Sequence, residues 1–264
     1  MLVSVFGLEG DFESFDLAVN PDGLSDDVLA KFPHLAGYTA FTLSDDAIAS
    51  AGDILTGQIA IAAYRGDNVA ALSGLQIPGV LDALYTYEGD LGAHFDENGV
   101  PTFTVWAPTA QNVSFNLYAD AAPNTDPINY EMTHDAATGT WSVTGETDWY
   151  LQYYTYVVDV YAPTELALVQ NEVTDPYSVA LSQNSVRTLV LDLEDPEFMP
   201  EGWQSLVKPD YGTAFEDITV YELHLRDFSI FDETVPEDLR GTYLAFTVLE
   251  SNGMQHLANL AQAG

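Results

Sequence analysis

Cysteine is absent from this 264-residue chain, which removes disulfides, thiolate zinc sites and thiol nucleophiles from consideration. Cations are scarce too. Lys31, Lys208, Arg65, Arg187, Arg226 and Arg240 face 41 acidic residues, giving a formal charge of −35. Such a chain repels nucleic acid and anionic membrane, so neither is an expected partner. No apolar run approaches the roughly 20 residues of a membrane span. The opening MLVSVFGLEGDF has no positive segment and its apolar run is broken by Gly7 and Glu9, so it does not read as a signal peptide. The compartment stays open between extracellular and cytoplasmic. The five histidines never stand three or four residues apart, no D-x-D-x-D-G calcium loop occurs, and there is no P-loop, G-x-G-x-x-G or G-x-S-x-G. No metal site or cofactor is identified.

What is present is apolar and aromatic. The hydrophobic share is 47% and the aromatic share 12%, with 15 Tyr and 13 Phe, a composition that builds cores despite the charge. The acid is scattered rather than gathered into a tail, so it reads as a solvated surface. A surface of that kind repels itself at low salt and relaxes as the Debye length shortens. A saline, halophilic source is the expectation.

The patterning divides the chain into four regions. Residues 1–86 carry short apolar runs separated by Gly, Asp and Asn turns, such as Tyr38–Leu43 and Ile54–Tyr64, the latter with Ile59, Ile61 and Ala63 on one face. Ser25 is the expected N-cap of a short helix over Ser25–Phe32. Residues 87–190 hold a second set: Phe103 and Val105 alternate against Thr102, Thr104 and Trp106, and Val113, Phe115 and Leu117 share a face. Tyr153–Tyr161 reads as a further strand. Hairpin signals at Glu97–Gly99 and His134–Gly139 divide them, which suggests a small sandwich. Residues 191–216, with Pro196, Pro200 and Pro209, read as a linker. In 217–264 a strand over Ile218–Phe228 leads into a helix over Gly253–Gly264, with Met254, Leu257 and Leu260 at helical spacing and Gly264 as C-cap.

Several stretches, in order, resemble the amino-terminal part of pullulanase-type debranching enzymes of the α-amylase superfamily, glycoside hydrolase family 13. KFPHLAGYTAF (Lys31–Phe41) and GVLDALYTYEGD (Gly79–Asp90) resemble the pullulanase N2-like domain. VWAPTAQNV (Val105–Val113) resembles the opening of a family 48 carbohydrate-binding module. TDPYSVALSQNS (Thr174–Ser185) and VLDLEDPEFMPEGW (Val190–Trp203) resemble the junction into the barrel. VYELHLRDFS (Val220–Ser229) resembles barrel strand one, and GTYLAF (Gly241–Phe246) with GMQHLANLAQAG (Gly253–Gly264) resembles the loop and helix after that strand. The implied fold is mainly β: two consecutive β-sandwich-like domains, then the first β/α unit of an incomplete (β/α)8 barrel. Only 48 residues run from Asp217 to Gly264, against roughly 250 for a whole barrel.

The resemblance implies hydrolysis of α-1,6 bonds in pullulan, starch, glycogen or limit dextrins, with an Asp nucleophile and a Glu acid/base on later barrel strands. It leaves room for calcium. No catalytic residue carries over to this chain, which is therefore expected to be inactive alone. Glu222 and Asp227 are five apart and point to opposite faces of a strand, so they cannot flank one bond. Glu222, His224 and Arg226 share a face and read as a scaffold lining the barrel interior. Trp149, Tyr150 and Tyr153 are candidate sugar-stacking residues, whereas Trp106 and Trp141 are expected to pack the sandwich. Tyr118–Pro123 and Pro163–Val169, where glycogen-binding relatives of the module carry Trp, contain none. Two other roles fit the same residues: a stand-alone α-glucan-binding protein, or domains that brace a barrel and bind nothing.

Overall fold

The computed structural model describes residues 2–6, 11–208, 214, 216 and 218–263. The chain divides into two compact units, Met1–Glu201 and Gly202–Gly264.

The first unit begins with an antiparallel sheet in the order β2-β1-β5-β6, made of β1 (Leu2–Phe6), β2 (Asp11–Phe15), β5 (Gln58–Arg65) and β6 (Asn68–Gly74). A separate ribbon pairs β3 (Leu17–Val19) with β4 (Phe41–Leu43). Three short helices lie between these strands, α1 (Asp26–Lys31), α2 (Asp45–Ala49) and α3 (Ala51–Leu55), and α4 (Pro78–Leu84) follows β6. Ser25 caps α1 as expected, its hydroxyl accepting from the Val28 N–H at 3.4 Å. Ser44 does the same for α2.

The strand expected over Ile54–Tyr64 starts later, at Gln58, because Ile54 and Leu55 belong to α3. Both are buried. Adjacent residues of a strand face opposite ways, whereas the end of a helix can turn both into one core. The strand's buried residue is Ala62, and Ala63 is exposed beside a register shift at Ala63/Tyr64.

Two packed sheets come next along the chain. One runs β10-β9-β13-β14, with β9 (Ala110–Tyr118), β10 (Ile128–Glu131), β13 (Tyr153–Ala162) and β14 (Ala167–Val173), and β15 (Thr188–Leu189) also on β13. The other runs β11-β12-β8-β7, with β7 (Gly92–Phe95), β8 (Pro101–Trp106), β11 (Thr133–Asp135) and β12 (Thr140–Thr144). Phe103, Val105, Val113, Phe115, Leu117, Trp141, Tyr154 and Tyr156 fill the space between them, as period-two alternation dictates. Both hairpin signals are realised. Asp96 Oδ1 accepts from the Asn98 and Val100 N–H groups, and Gly99 takes φ +77°; Asp135 Oδ1 accepts from Ala137 N–H, and Gly139 takes φ +68°. Val190 and Leu191 are buried, so the stretch read as a linker starts inside the sandwich.

In the second unit the expected strand over Ile218–Phe228 is corrected. Residues 218–224 have no regular structure and Leu225–Ser229 form α5. A strand is held by hydrogen bonds to neighbours, and no strand lies in the described part of this unit to supply them. The later helix exists as α6 (Asn252–Ala263), with Met254 and Leu257 half-buried. Pro209, Asp217 and the proposed C-cap Gly264 lie outside the described residues.

Candidate functional site

Trp149 ends a one-turn 3-10 helix, Thr147–Trp149, which tips its indole between the sheets. It lies 4.6 Å from Tyr130, 5.4 Å from Phe115 and 6.0 Å from Phe103, centroid to centroid. It is 5% exposed. Its aromatic faces are taken up by protein. Tyr150 is half-buried; its hydroxyl donates to Asp195 Oδ2 at 2.5 Å and its ring meets Phe95 edge-on. Burial, then the Asp195 carboxylate, pushes that phenol up to about 12. Tyr153 is half-buried at the start of β13, between Tyr118 and Leu189.

Trp141 packs the core, donating to the Ala107 carbonyl at 3.3 Å and stacking on His134. Trp106 does not. It sits on the opposite face of β8 and donates through Nε1 to the Tyr85 carbonyl at 2.9 Å, tying the first sheet's region to the sandwich. Gln111 makes a second tie, to the Thr56 carbonyl at 3.3 Å. Trp106 follows inward-facing Val105, so the alternation of β8 turns it outward, against the expected core role.

Two constellations were not singled out from the sequence. Asp175 is 3% exposed and accepts from Tyr154 Oη at 2.6 Å, Tyr156 Oη at 3.1 Å and Tyr177 N–H at 2.7 Å. Burial raises both tyrosines well above the usual phenol range, with the Asp175 charge adding to it. Arg187, 6% exposed, lies with Cζ 3.6 Å from the Tyr118 ring centroid. It donates to the carbonyls of Asp120, Ala122 and Thr125 at 2.8–3.4 Å. Around it the outer face of the larger sheet is polar and bonded: Glu172 accepts from Tyr118 Oη and from Thr155 Oγ1, and Asn129 donates to Asn116 and Ser114. The available signal was that Arg187 is the one Lys or Arg within residues 87–190.

Glu222, His224 and Arg226 are all exposed and do not form a strand face. His224 instead caps α5, its Nδ1 accepting from the Asp227 N–H at 3.4 Å, and Arg226 reaches Asp227 Oδ1 at 3.4 Å. Among the described residues no group of three His, Asp or Glu is placed to hold a metal, and no helix is long and apolar enough to cross a membrane.

Comparison with known proteins decides the lineage. Residues 4–83 match the Pullulanase N2 domain, and residues 90–178 match Carbohydrate-binding module 48 (Isoamylase N-terminal domain). The chain is pullulanase-type. The chain aligns with chloroplastic pullulanase 1 of Arabidopsis thaliana at 38% identity, over 98% of this chain and 26% of that protein. The pullulanase of Klebsiella pneumoniae is 40% identical over 97% of this chain and 24% of its own length. The crystal structure of Klebsiella pneumoniae pullulanase complexed with maltotriose superimposes with a TM-score of 0.83 at 35% identity, covering all of this chain and 26% of that one. The pullulanase-type chain therefore spans about a quarter of the length of these relatives. The Asp175 clasp falls inside the matched module and Arg187 just beyond it, while the Gln111–Thr56 bond joins the N2 domain to the module and Trp106 holds Tyr85 in the segment between them.

Proposed function

We propose that this chain is the N-terminal accessory region of a glycoside hydrolase that cleaves α-1,6-glucosidic bonds in pullulan, starch, glycogen or limit dextrins. Its own part is to brace and present, not to cut. The paired N2 and module 48 matches carry the reading. The state of the carboxyl groups supports the second half. A retaining glycosidase sets two carboxyl groups about 5–5.5 Å apart and keeps one protonated. Among the described residues, each carboxyl whose titration is displaced is displaced downward. Hydrogen bonds from its own turn do so for Asp96, Asp120, Asp135 and Asp232, the Tyr150 hydroxyl does so for Asp195, and for Glu172 burial pulls upward but is outweighed by bonds from Thr155 and Tyr118. None of these is held as an acid. The acidic surface suits a protein working in concentrated salt.

The experiment is incubation of the purified chain with pullulan, followed by chromatography of the products. No maltotriose is expected; its release, free of contaminating amylase, overturns the inert reading. The alternative role, a module that binds starch by itself, is compatible with bracing: slower migration of residues 1–264 in gels containing amylopectin adds binding to bracing, and unchanged migration leaves bracing alone.

A further inference from the structure

Where the first sheet's region meets the module, Trp106, Tyr85, Tyr87 and Tyr177, with Asp82 and Thr86, line an open cleft of about 380 Å³. The volume is within the range of small-ligand sites, about 300–1,000 Å³. We propose that this cleft binds the end of an α-linked glucose chain. The choice of an α-glucan rests on the debranching proposal; the choice of a neutral sugar rests on the cleft.

Its walls combine flat apolar faces with hydroxyl and carboxylate edges, which is what a pyranose ring needs from a protein: apolar cover for its C–H face and partners for its rim hydroxyls. No Lys or Arg lines it, and the chain carries −35, so phosphorylated ligands and nucleotides are repelled. Two of the three aromatics expected to stack sugar are otherwise engaged, since Trp149 is core and Tyr150 is bonded to Asp195, while Tyr153 is half-buried on β13. In the cleft, Trp106 and Tyr85 are accessible in part, and Tyr177 is 45% exposed.

The rings are also mounted rigidly. Trp106 is fixed by its bond to the Tyr85 carbonyl. Tyr85 packs on Gly139, where a Cβ would come 3.3 Å from its ring, and Gly139 needs its glycine for φ +68° as well. Tyr177 stands over Gly92, where a Cβ would lie 2.9 Å from the Tyr177 Cβ, and its N–H is held by buried Asp175. Thr86 is set by its hydroxyl's bond to the Asp82 carbonyl at 2.9 Å. Rings that are already in place lose little freedom when a ligand arrives.

The test titrates the whole chain with maltoheptaose and, separately, with the β-linked cellohexaose, following tryptophan fluorescence and heat. Wild type is expected to bind maltoheptaose saturably and cellohexaose far more weakly. Tyr177→Ala keeps the N–H that Asp175 holds, so the fold survives, and it is expected to weaken binding about ten-fold. Tyr87→Ala is expected to weaken it as well, and Tyr38→Ala, 71% exposed and not part of the cleft, to leave it unchanged. Absence of saturable binding by wild type overturns the cleft while leaving bracing intact. Undiminished binding by both cleft variants puts the glucan elsewhere, and equal affinity for cellohexaose overturns the α-linked ligand. Debranching is judged separately, by pullulan hydrolysis in a protein extended to the length of the relatives.

Discussion

A carboxylate buried away from every cation must be held by donors, and Asp175 is held by two tyrosine hydroxyls and a backbone N–H. Removing it strands those hydroxyls, each worth about 1–3 kcal/mol when left unpaired in a core. Asp175→Ala is therefore expected to lower stability by about 2–4 kcal/mol in urea titrations, and Asp175→Asn by less, since an amide oxygen still accepts. A loss below about 1 kcal/mol for the alanine variant shows that the core relaxes around the gap. The tyrosines add a pH dependence with a definite sign. Tyr154 and Tyr156 are raised by burial, and Tyr150 stands at about 12, whereas an unfolded phenol titrates near about 10. The folded state thus keeps protons that the unfolded state loses. Stability is whole below about pH 10 and declines as pH rises through about 12. Tyr150→Phe should flatten part of that decline, read as melting temperature against pH; an unchanged slope removes Tyr150 from the account.

Strand β9 is buried on both faces, apolar inward and, through Ser114, Asn116 and Tyr118, polar outward. Its inner face could be read directly, because alternation needs only the strand itself. The outer face could not, since its burial depends on Arg187 and Glu172, far along the chain. The same distinction explains Trp149: nothing in TDWY fixes which way a single 3-10 turn tips an indole. It explains Leu225–Ser229 too, where Tyr221, Leu223 and Leu225 alternate, yet alternation without a pairing neighbour leaves the backbone free to turn into a capped helix. Arg187 offers the sharper test. A guanidinium presents a planar fork to several acceptors and a flat face to an aromatic ring, and an ammonium does neither. Arg187→Lys is expected to cost about 1–2 kcal/mol and to speed amide exchange across Ala121–Thr125, with the exchange in β12 unchanged. Slow exchange in that loop for the lysine variant shows that charge alone holds it. In the wild-type chain, amides of Val220–His224 should exchange far faster than those of β9 and β13, and equal protection contradicts the irregular backbone seen there.

With 41 acids against six bases, most carboxylates have no cation to face, and two of the arginines bond to backbone carbonyls instead. Arg187 bonds to three carbonyls and Arg240 to those of Val235 and Glu233. The ion pairs among the described residues both end on exposed Asp227, and exposed pairs contribute little. Repulsion over the surface is thus balanced by mobile counterions and not by the protein. The Debye length falls from about 10 Å at 0.1 M to about 3 Å at 1 M, below the spacing of most surface charges, so added salt should relieve the folded state more than the expanded one. The melting temperature is expected to climb steeply between about 0.1 and 1 M NaCl and then level off, because screening is nearly complete there. A rise that continues linearly into higher salt points instead to exclusion of salt from the surface. A curve that is flat or falling from the start removes the saline-source reading, and with it the physical reason for a surface this acidic.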